Sequence, residues 1–328
     1  MICVGAVSNI NMNSTEQMDD VCASCGITQG DDTKLKICTA CRLVKYCSVE
    51  CQKNHRPKHK KACKKRMAEI RDDLLMEQPD STHLGDCEIC CLPLPLDLTK
   101  SSITTCCTKR VCEGCTIANY EREREESLEH RCPFCRHLVP KTKEEGDRNS
   151  IKRIEANDPL ALFTKGEECY EEENYGVAFE YWTKAAGLGS IDAHYKVSLL
   201  YSEGRGVDRN EKKELYHLEE AAIGGHPSAR YSLACVEIRN KRYERAQKHF
   251  IIAAKLGYEK GVKAVKDLHE KGEINTVEHD AAVRGYKAAT DATKSAQREA
   301  ADEFWAQERF RDEFLEMMRN DPGVDIMM

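Results

Sequence analysis

Polar and apolar positions follow one rule in the second half of the chain and another in the first. From Asp158 onward apolar residues recur at helical spacing and the pattern repeats itself. DPLA (158–161), IDAHY (191–195), PSARY (227–231) and EKGVK (259–263) open successive units. AAGLG (185–189), AAIGG (221–225), AAKLG (253–257) and KAATD (287–291) close them, at a period of roughly 32–36 residues. Each unit reads as a helix, a turn and a second helix. Paired alanines allow close helix approach, and Gly189, Gly225 and Gly257 stand where a left-handed residue ends a helix. Tyr175, Phe179 and Trp182 fill the space between units. One helix pair cannot bury its apolar face alone, so stacking into a solenoid is predicted over 157–292, with the fourth unit as a divergent cap.

Residues 293–319 read as one further helix within a last segment, 293–328, with Phe304, Phe310, Phe314, Leu315, Met317 and Met318 on one side. Capping the solenoid is its expected role, with Trp305 off that face, and DPGVDIMM is expected to be mobile. Residues 1–20 carry no periodicity and are expected to be a disordered leader containing Cys3. A helix and linker are expected over 67–85, a charged linker over 141–156, and a helix over Glu113 to Glu129.

Cysteine usage changes the picture. There are 19 cysteines, and only Cys169 and Cys235 lie beyond Cys135; both are expected to be buried thiols in helices. No basic start followed by an apolar core heads the chain, and no apolar run reaches the ~20 residues of a membrane span. An intracellular location, cytoplasmic or nuclear, is therefore expected. Thiols stay reduced there, and repeated Cys-x-x-Cys pairs read as metal ligands rather than disulfides.

Between 86 and 140 the chain carries Cys87-x-x-Cys90, the vicinal Cys106 and Cys107, Cys112-x-x-Cys115 and Cys132-x-x-Cys135. Zinc takes four Cys or His ligands in a tetrahedron, and two such pairs complete one closed site. The module resembles a RING finger, which implies that Cys87, Cys90, Cys112 and Cys115 form one site. Cys132 and Cys135 supply half of the other. Lys109 stands where that family places a His, and a protonated amine is a poor ligand. Cys106 with Cys107 would restore eight ligands, although adjacent residues strain to reach one ion; His130 and Cys91 are the alternatives. The resemblance extends to Ile89, Pro133 and Arg136, which match an apolar contact for a ubiquitin-conjugating enzyme, a proline and a linchpin arginine.

Upstream, over 21–66, the order is Cys22-x-x-Cys25, Cys38-x-x-Cys41, Cys47-x-x-x-Cys51 and His59-x-x-x-Cys63. The i,i+4 pairs suit one face of a short helix. This stretch resembles the MYND zinc finger. The resemblance implies Cys22, Cys25, Cys47 and Cys51 on one ion and Cys38, Cys41, His59 and Cys63 on another. Its relatives bind short proline-rich peptides. Ile37, Leu43, Val44 and Val49 are most of its apolar content, too little to fold so small a unit without metal. A basic run from Lys53 to Arg66 admits nucleic-acid or chromatin association as a weaker alternative to a solvated helix face. The repeats resemble Sel-like repeats, best in Ala193, Tyr195, Leu199, Tyr201, GRGVD (204–208), Ala221, Ala222 and Gly225.

The expectation is a multidomain protein: two small zinc-stabilised domains, a MYND finger and a RING-like module, followed by an all-α helical-repeat solenoid. Four structural Zn²⁺ ions are expected, two per zinc module, with no catalytic residue on the chain. No hydrolase triad, phosphate-cradling loop or open metal site is present in the sequence. A protein–protein interaction scaffold is the first functional reading, with protein or peptide partners at the finger and the repeats. A RING-type ubiquitin ligase whose repeats recruit substrate is the alternative.

Overall fold

A computed structural model describes residues 20–30, 33–307, 312 and 324–325. The leader up to residue 19, with Cys3, lies outside the described residues, as do Phe310, Phe314, Leu315, Met317 and Met318. The chain forms two compact units, Met1–Glu77 and Gln78–Met328.

In the first unit a short antiparallel ribbon pairs β1 (Lys36–Ile37) with β2 (Lys45–Tyr46). One long helix, α1 (Val49–Met76), follows. Ser48 caps it, its side chain accepting from the Cys51 N–H at 3.1 Å. Cys51, His59 and Cys63 thus share one helix, continuous with the one read downstream of the finger, whereas Cys47, expected on a helix with Cys51, lies ahead of the Ser48 cap. Pro57 is tolerated within the helix.

The second unit begins with the cysteine-rich module. β3 (Ser101–Thr104) and β4 (Arg110–Cys112) pair antiparallel, and α2 (Glu113–Glu125) starts directly after Cys112. β5 (Val324–Asp325) adds to the other edge of β3, with Ile103 opposite Asp325. Part of the tail read as mobile therefore has a partner. The stretch read as a linker carries α3 (Lys143–Glu155), capped by Thr142.

Four helix pairs then follow the periodicity: α4 (Pro159–Glu171) with α5 (Tyr175–Gly187), α6 (Ile191–Glu203) with α7 (Glu211–Ile223), α8 (Pro227–Arg239) with α9 (Tyr243–Lys255), and α10 (Glu259–Glu270) with α11 (Thr276–Ala292). Gly189, Gly225 and Gly257 adopt φ of +94°, +83° and +84°, the left-handed turns their positions require. Trp182, 1% exposed, anchors the first core with Leu162, Phe163, Ala178 and Val197. Its indole N–H donates to the Phe163 carbonyl at 3.1 Å. Gly166 permits this, because a Cβ there would lie 2.4 Å from the indole. A second core gathers Ala246, Phe250, Val262, Val265 and Ala282. Cys169 is buried as expected, whereas Cys235 is exposed on α8.

Of the expected final helix, 293–319, residues 308–311 and 313–319 lie outside the described residues. The chain breaks after α11 and resumes as α12 (Ala296–Ala306), capped by Ser295. Within the described residues, Ala301, Phe304 and Trp305 of α12 pack against Ile117 and Tyr120 of α2. The chain is multidomain, with cysteine clusters first and paired helices after.

Candidate metal centres

Four turns of one design present most of the sulfurs. In four of the five Cys-x-x-Cys pairs, all but the helical Cys112–Cys115, the residue after the second cysteine donates its N–H to the carbonyl of the first: Gly26 to Cys22 (2.9 Å), Arg42 to Cys38 (2.9 Å), Cys91 to Cys87 (2.8 Å) and Arg136 to Cys132 (3.0 Å). That residue has positive φ every time, +76°, +55°, +54° and +61° respectively. The turn closes on itself and leaves both thiols on one side.

The vicinal cysteines use the same turn in altered form. Thr108, at φ +51°, donates to the Thr104 carbonyl at 2.8 Å. Thr104 thus holds the place of a first cysteine and Cys107 that of the second. Thr104 Oγ1 lies 3.0 Å from Cys107 Sγ. Cys106, inside the turn, supplies the sulfur that threonine cannot. Sequence reasoning read only the adjacent cysteines; the left-handed Thr108 is the feature it missed.

The side chains meet in four sets, with the ligand atoms of each within 4.8 Å of one another: Cys22, Cys25, Cys47 and Cys51; Cys38, Cys41, His59 and Cys63; Cys87, Cys90, Cys112 and Cys115; Cys106, Cys107, Cys132 and Cys135. The last two alternate along the chain and so cross-brace the module. Zn–S bonds of about 2.3 Å imply tetrahedral S···S edges near roughly 3.8 Å. Observed separations are 3.5 Å for Cys25–Cys47, 3.9 Å for Cys87–Cys115, 3.7 Å for Cys90–Cys112, 3.4 Å for Cys106–Cys135 and 3.9 Å for Cys107–Cys132. His59 turns Nε2 to Cys41 Sγ at 3.2 Å, and burial lowers its pKa, which favours the neutral, ligating ring.

Electrostatics within the sets also call for a cation. Thiol donors from Cys112 and Cys115 draw Cys87 far below the ordinary range, while the contact with Cys112 pushes Cys115 far up. Cys132 falls and Cys106 rises in the same way, through the contacts of each with Cys107 and with one another. Neighbouring thiolates repel one another, and a divalent ion removes that conflict.

The other residues weighed for the fourth set have different partners. Lys109 Nζ pairs with Glu88 at 2.7 Å, and His130 Nδ1 pairs with Glu123 at 2.8 Å. Cys91 belongs to none of the sets. Ile89 is 40% exposed and Pro133 half-buried. Arg136 donates to Asn119 Oδ1 at 2.6 Å and lies 3.9 Å from Glu123. Helices outside the module grip its second centre. Arg153 of α3 donates to the Cys106 carbonyl through Nε (3.2 Å) and Nη2 (2.8 Å), and Thr108 donates to Asp158, the cap of α4.

A fifth group, His83, Asp192 and His226, has metal-binding residue types but different hydrogen bonding. His226 caps α8 by accepting the Ala229 N–H on Nδ1 at 3.3 Å, so the neutral ring carries its proton on Nε2. That nitrogen faces Asp192 Oδ1 at 3.7 Å, and His83 Nε2 reaches the same oxygen at 2.9 Å. To ligate through Nε2, His226 would need that nitrogen bare and a proton on Nδ1, which would break the cap. The group is therefore a polar clasp, with the two rings stacked 4.2 Å apart.

Comparison with known proteins agrees at the N-terminus. Residues 22–63 match the MYND finger family. Zinc binding follows from that match and from the clusters. Among solved structures, the Sel1 repeat protein from Oxalobacter formigenes is 23% identical, covering 37% of this chain and 96% of its own, at a TM-score of 0.34. The protective antigen c5321 of uropathogenic Escherichia coli, which displays an SLR fold, is 17% identical over 62% of this chain and 44% of its own, at 0.39. The immunity protein Pa5087 from Pseudomonas aeruginosa is 17% identical over 48% of this chain and 84% of its own, at 0.21.

Proposed function

We propose that this protein is a zinc-stabilised interaction scaffold that binds four structural zinc ions and holds a basic peptide segment of a partner against its first repeat. Each ligand set is complete at four, which suits structural rather than catalytic zinc. The observation that carries the partner reading is a cleft of about 860 Å³ between the β3–β4 loop, α3 and α4. Asp147, Glu155, Glu168, Glu171 and Glu172 line it against Lys143 and Lys165, with Ile151 and Tyr181 as apolar contacts; Lys165 pairs with Glu168 at 2.6 Å, so the lining stays net acidic. A net-acidic lining beside apolar side chains suits lysine or arginine next to an aliphatic anchor. The basic positions of α1, by contrast, are almost all exposed, as a solvated helix face would be.

Fluorescence anisotropy with a panel of labelled basic peptides tests the reading. Binding should weaken with salt and fall at least tenfold when Glu168, Glu171 and Glu172 are changed to lysine. Equal binding of acidic peptides, or indifference to that reversal, would remove the cleft from consideration.

The second reading, a RING-type ubiquitin ligase, is favoured by Ile89 and Phe134, each 40% exposed on the module. For Arg136 to act across an interface it must leave Asn119. A reconstituted transfer assay with a panel of conjugating enzymes decides the matter. Ubiquitin chains that form with the native protein and vanish in both Ile89→Ala and Arg136→Ala establish the ligase; no transfer by the zinc-loaded protein leaves the scaffold.

A further inference from the structure

Arg298 lies on α12, about two hundred residues from the cysteines of the RING-like module, yet its guanidinium ends on one of their centres. The residue is 8% exposed. Nη2 reaches Cys90 Sγ at 3.5 Å and donates to the Leu92 carbonyl at 3.2 Å. Nη1 donates to the carbonyls of Pro93 at 2.7 Å and of Thr293 at 2.6 Å. Ala301 and Phe304 hold the same helix over α2. The approach is close: a Cβ on Gly114 would lie 2.9 Å from Arg298 Cγ.

Two physical considerations tie this arginine to the metal. Four thiolates around a divalent ion carry two net negative charges, here among buried groups, and such charge is costly unless compensated. Guanidinium is permanently charged and offers several donors in a fixed plane, so one residue can meet a sulfur and neighbouring carbonyls together. The second consideration is mechanical. The carbonyls of Leu92 and Pro93 directly follow the Cys87–Cys90 turn. Cys87 donates its N–H to Leu92 at 2.9 Å, and Leu94 donates to Gly85 at 2.9 Å. The ion that joins this turn to Cys112 and Cys115 therefore also aims the acceptors on which Arg298 rests.

We infer that Arg298 is the outer counter-cation of the centre formed by Cys87, Cys90, Cys112 and Cys115, and that metal retention there and docking of α12 support each other. The coupling is reciprocal: whatever docking contributes to metal affinity, the metal contributes equally to docking. It is independent of which partner the cleft takes. Its consequence is a zinc-dependent latch, in which loss of one ion frees α12 and uncovers Ile117 and Tyr120.

The test uses the full zinc-loaded chain. Chelator titration by native mass spectrometry reads ion loss, and cysteine alkylation maps which centre has opened. Arg298→Met keeps side-chain bulk without charge. It should lose one ion at 10- to 100-fold lower chelator, the range typical of outer-shell partners, with labelling confined to Cys87, Cys90, Cys112 and Cys115. Phe304→Ala should weaken the same centre by loosening α12 while leaving the arginine in place. Arg153→Met, which acts on the Cys106 loop, should leave the first centre at its native midpoint. In the native protein, removing that ion should speed amide exchange across Ala296–Ala306. Native retention in both Arg298→Met and Phe304→Ala would overturn the inference. So would labelling spread evenly over both centres of the module in Arg298→Met, or unchanged exchange in α12 after the ion is removed.

Discussion

The histidine clasp gives the protein a calculable acid sensitivity. Burial, with the adjacent His83, brings the pKa of His226 down to about 3 from 6.5, although the Asp192 charge opposes the shift. Folding thus selects the neutral ring. Its contribution is complete above pH 6.5, shrinks as pH falls below that value, and stops shrinking near pH 3. At pH 5.0 the unfolded chain gains about 2 kcal/mol from protonating this histidine while the folded chain gains almost nothing. Asp192 contributes no slope in that window. Burial tends to raise its carboxyl, but His83, His226 and Arg110 bring it down to about 2, so it is ionised in both states. Lys196, on the same helix as Asp192, further disfavours charge on His226. The perturbation is His226→Asn, since asparagine caps a helix well and does not titrate. Urea unfolding followed by helical circular dichroism and tryptophan fluorescence, at pH 7.5 and 5.0, measures the effect. Native protein should lose about 2 kcal/mol more than the variant between those values. Acid effects on the zinc centres enter both proteins equally and cancel in the difference. If the two lose stability in parallel, His226 titrates normally in the folded chain and the clasp reasoning fails.

Native mass spectrometry should find four zinc ions. Cys107→Ser should cost the second RING-like centre its ion, whereas Lys109→Ala and His130→Gln should keep all four; ion loss from either of the latter would reassign the fourth ligand. Gly166→Ala should lower stability by about 1–3 kcal/mol in thermal unfolding, because the added methyl meets the Trp182 ring. Helix propensity alone favours alanine by about 1 kcal/mol, so a stabilised variant would refute the close packing.

The paired helices were legible because their information is local. Alanine pairs, a glycine in the left-handed turn and a large residue one turn further on all lie within one period. What the sequence concealed depends on distance or on backbone geometry. The segment that forms α3 carries eight charged residues and a glycine in its thirteen, and reads as a linker. It is a helix because Thr142 caps it, Ile154 packs against the first core and Arg153 finds the Cys106 carbonyl. The destination of α12 was equally hidden. An apolar stripe says that a helix must be covered, not what covers it, and the answer lay nearly two hundred residues upstream on α2. The second RING-like ligand pair was legible as chemistry only. That two adjacent cysteines can serve one ion follows from the Thr104–Thr108 turn, and no residue count reveals its left-handed corner.

These long-range contacts bear on how the RING-like module stands by itself. Both of its metal loops lean on helices outside it: the Cys106 loop on Arg153 and Asp158, and the loop after Cys90 on Arg298. A fragment of residues 78–140 retains every cysteine of the two sets and loses all of those partners. Sulfur coordination alone predicts native zinc affinity for the fragment. If the outer hydrogen bonds matter, both ions should leave at lower chelator concentration than in the intact chain, by ten- to a hundredfold. The second comparison is with residues 78–292, which restore Arg153 and Asp158 without α12. That longer fragment should recover the Cys106 centre and leave the Cys87 centre weak. Recovery of both centres together would mean that the repeats act by general stabilisation, and recovery of neither that the fragments fail for want of the missing chain. Selective recovery of one is what two separate outer contacts require.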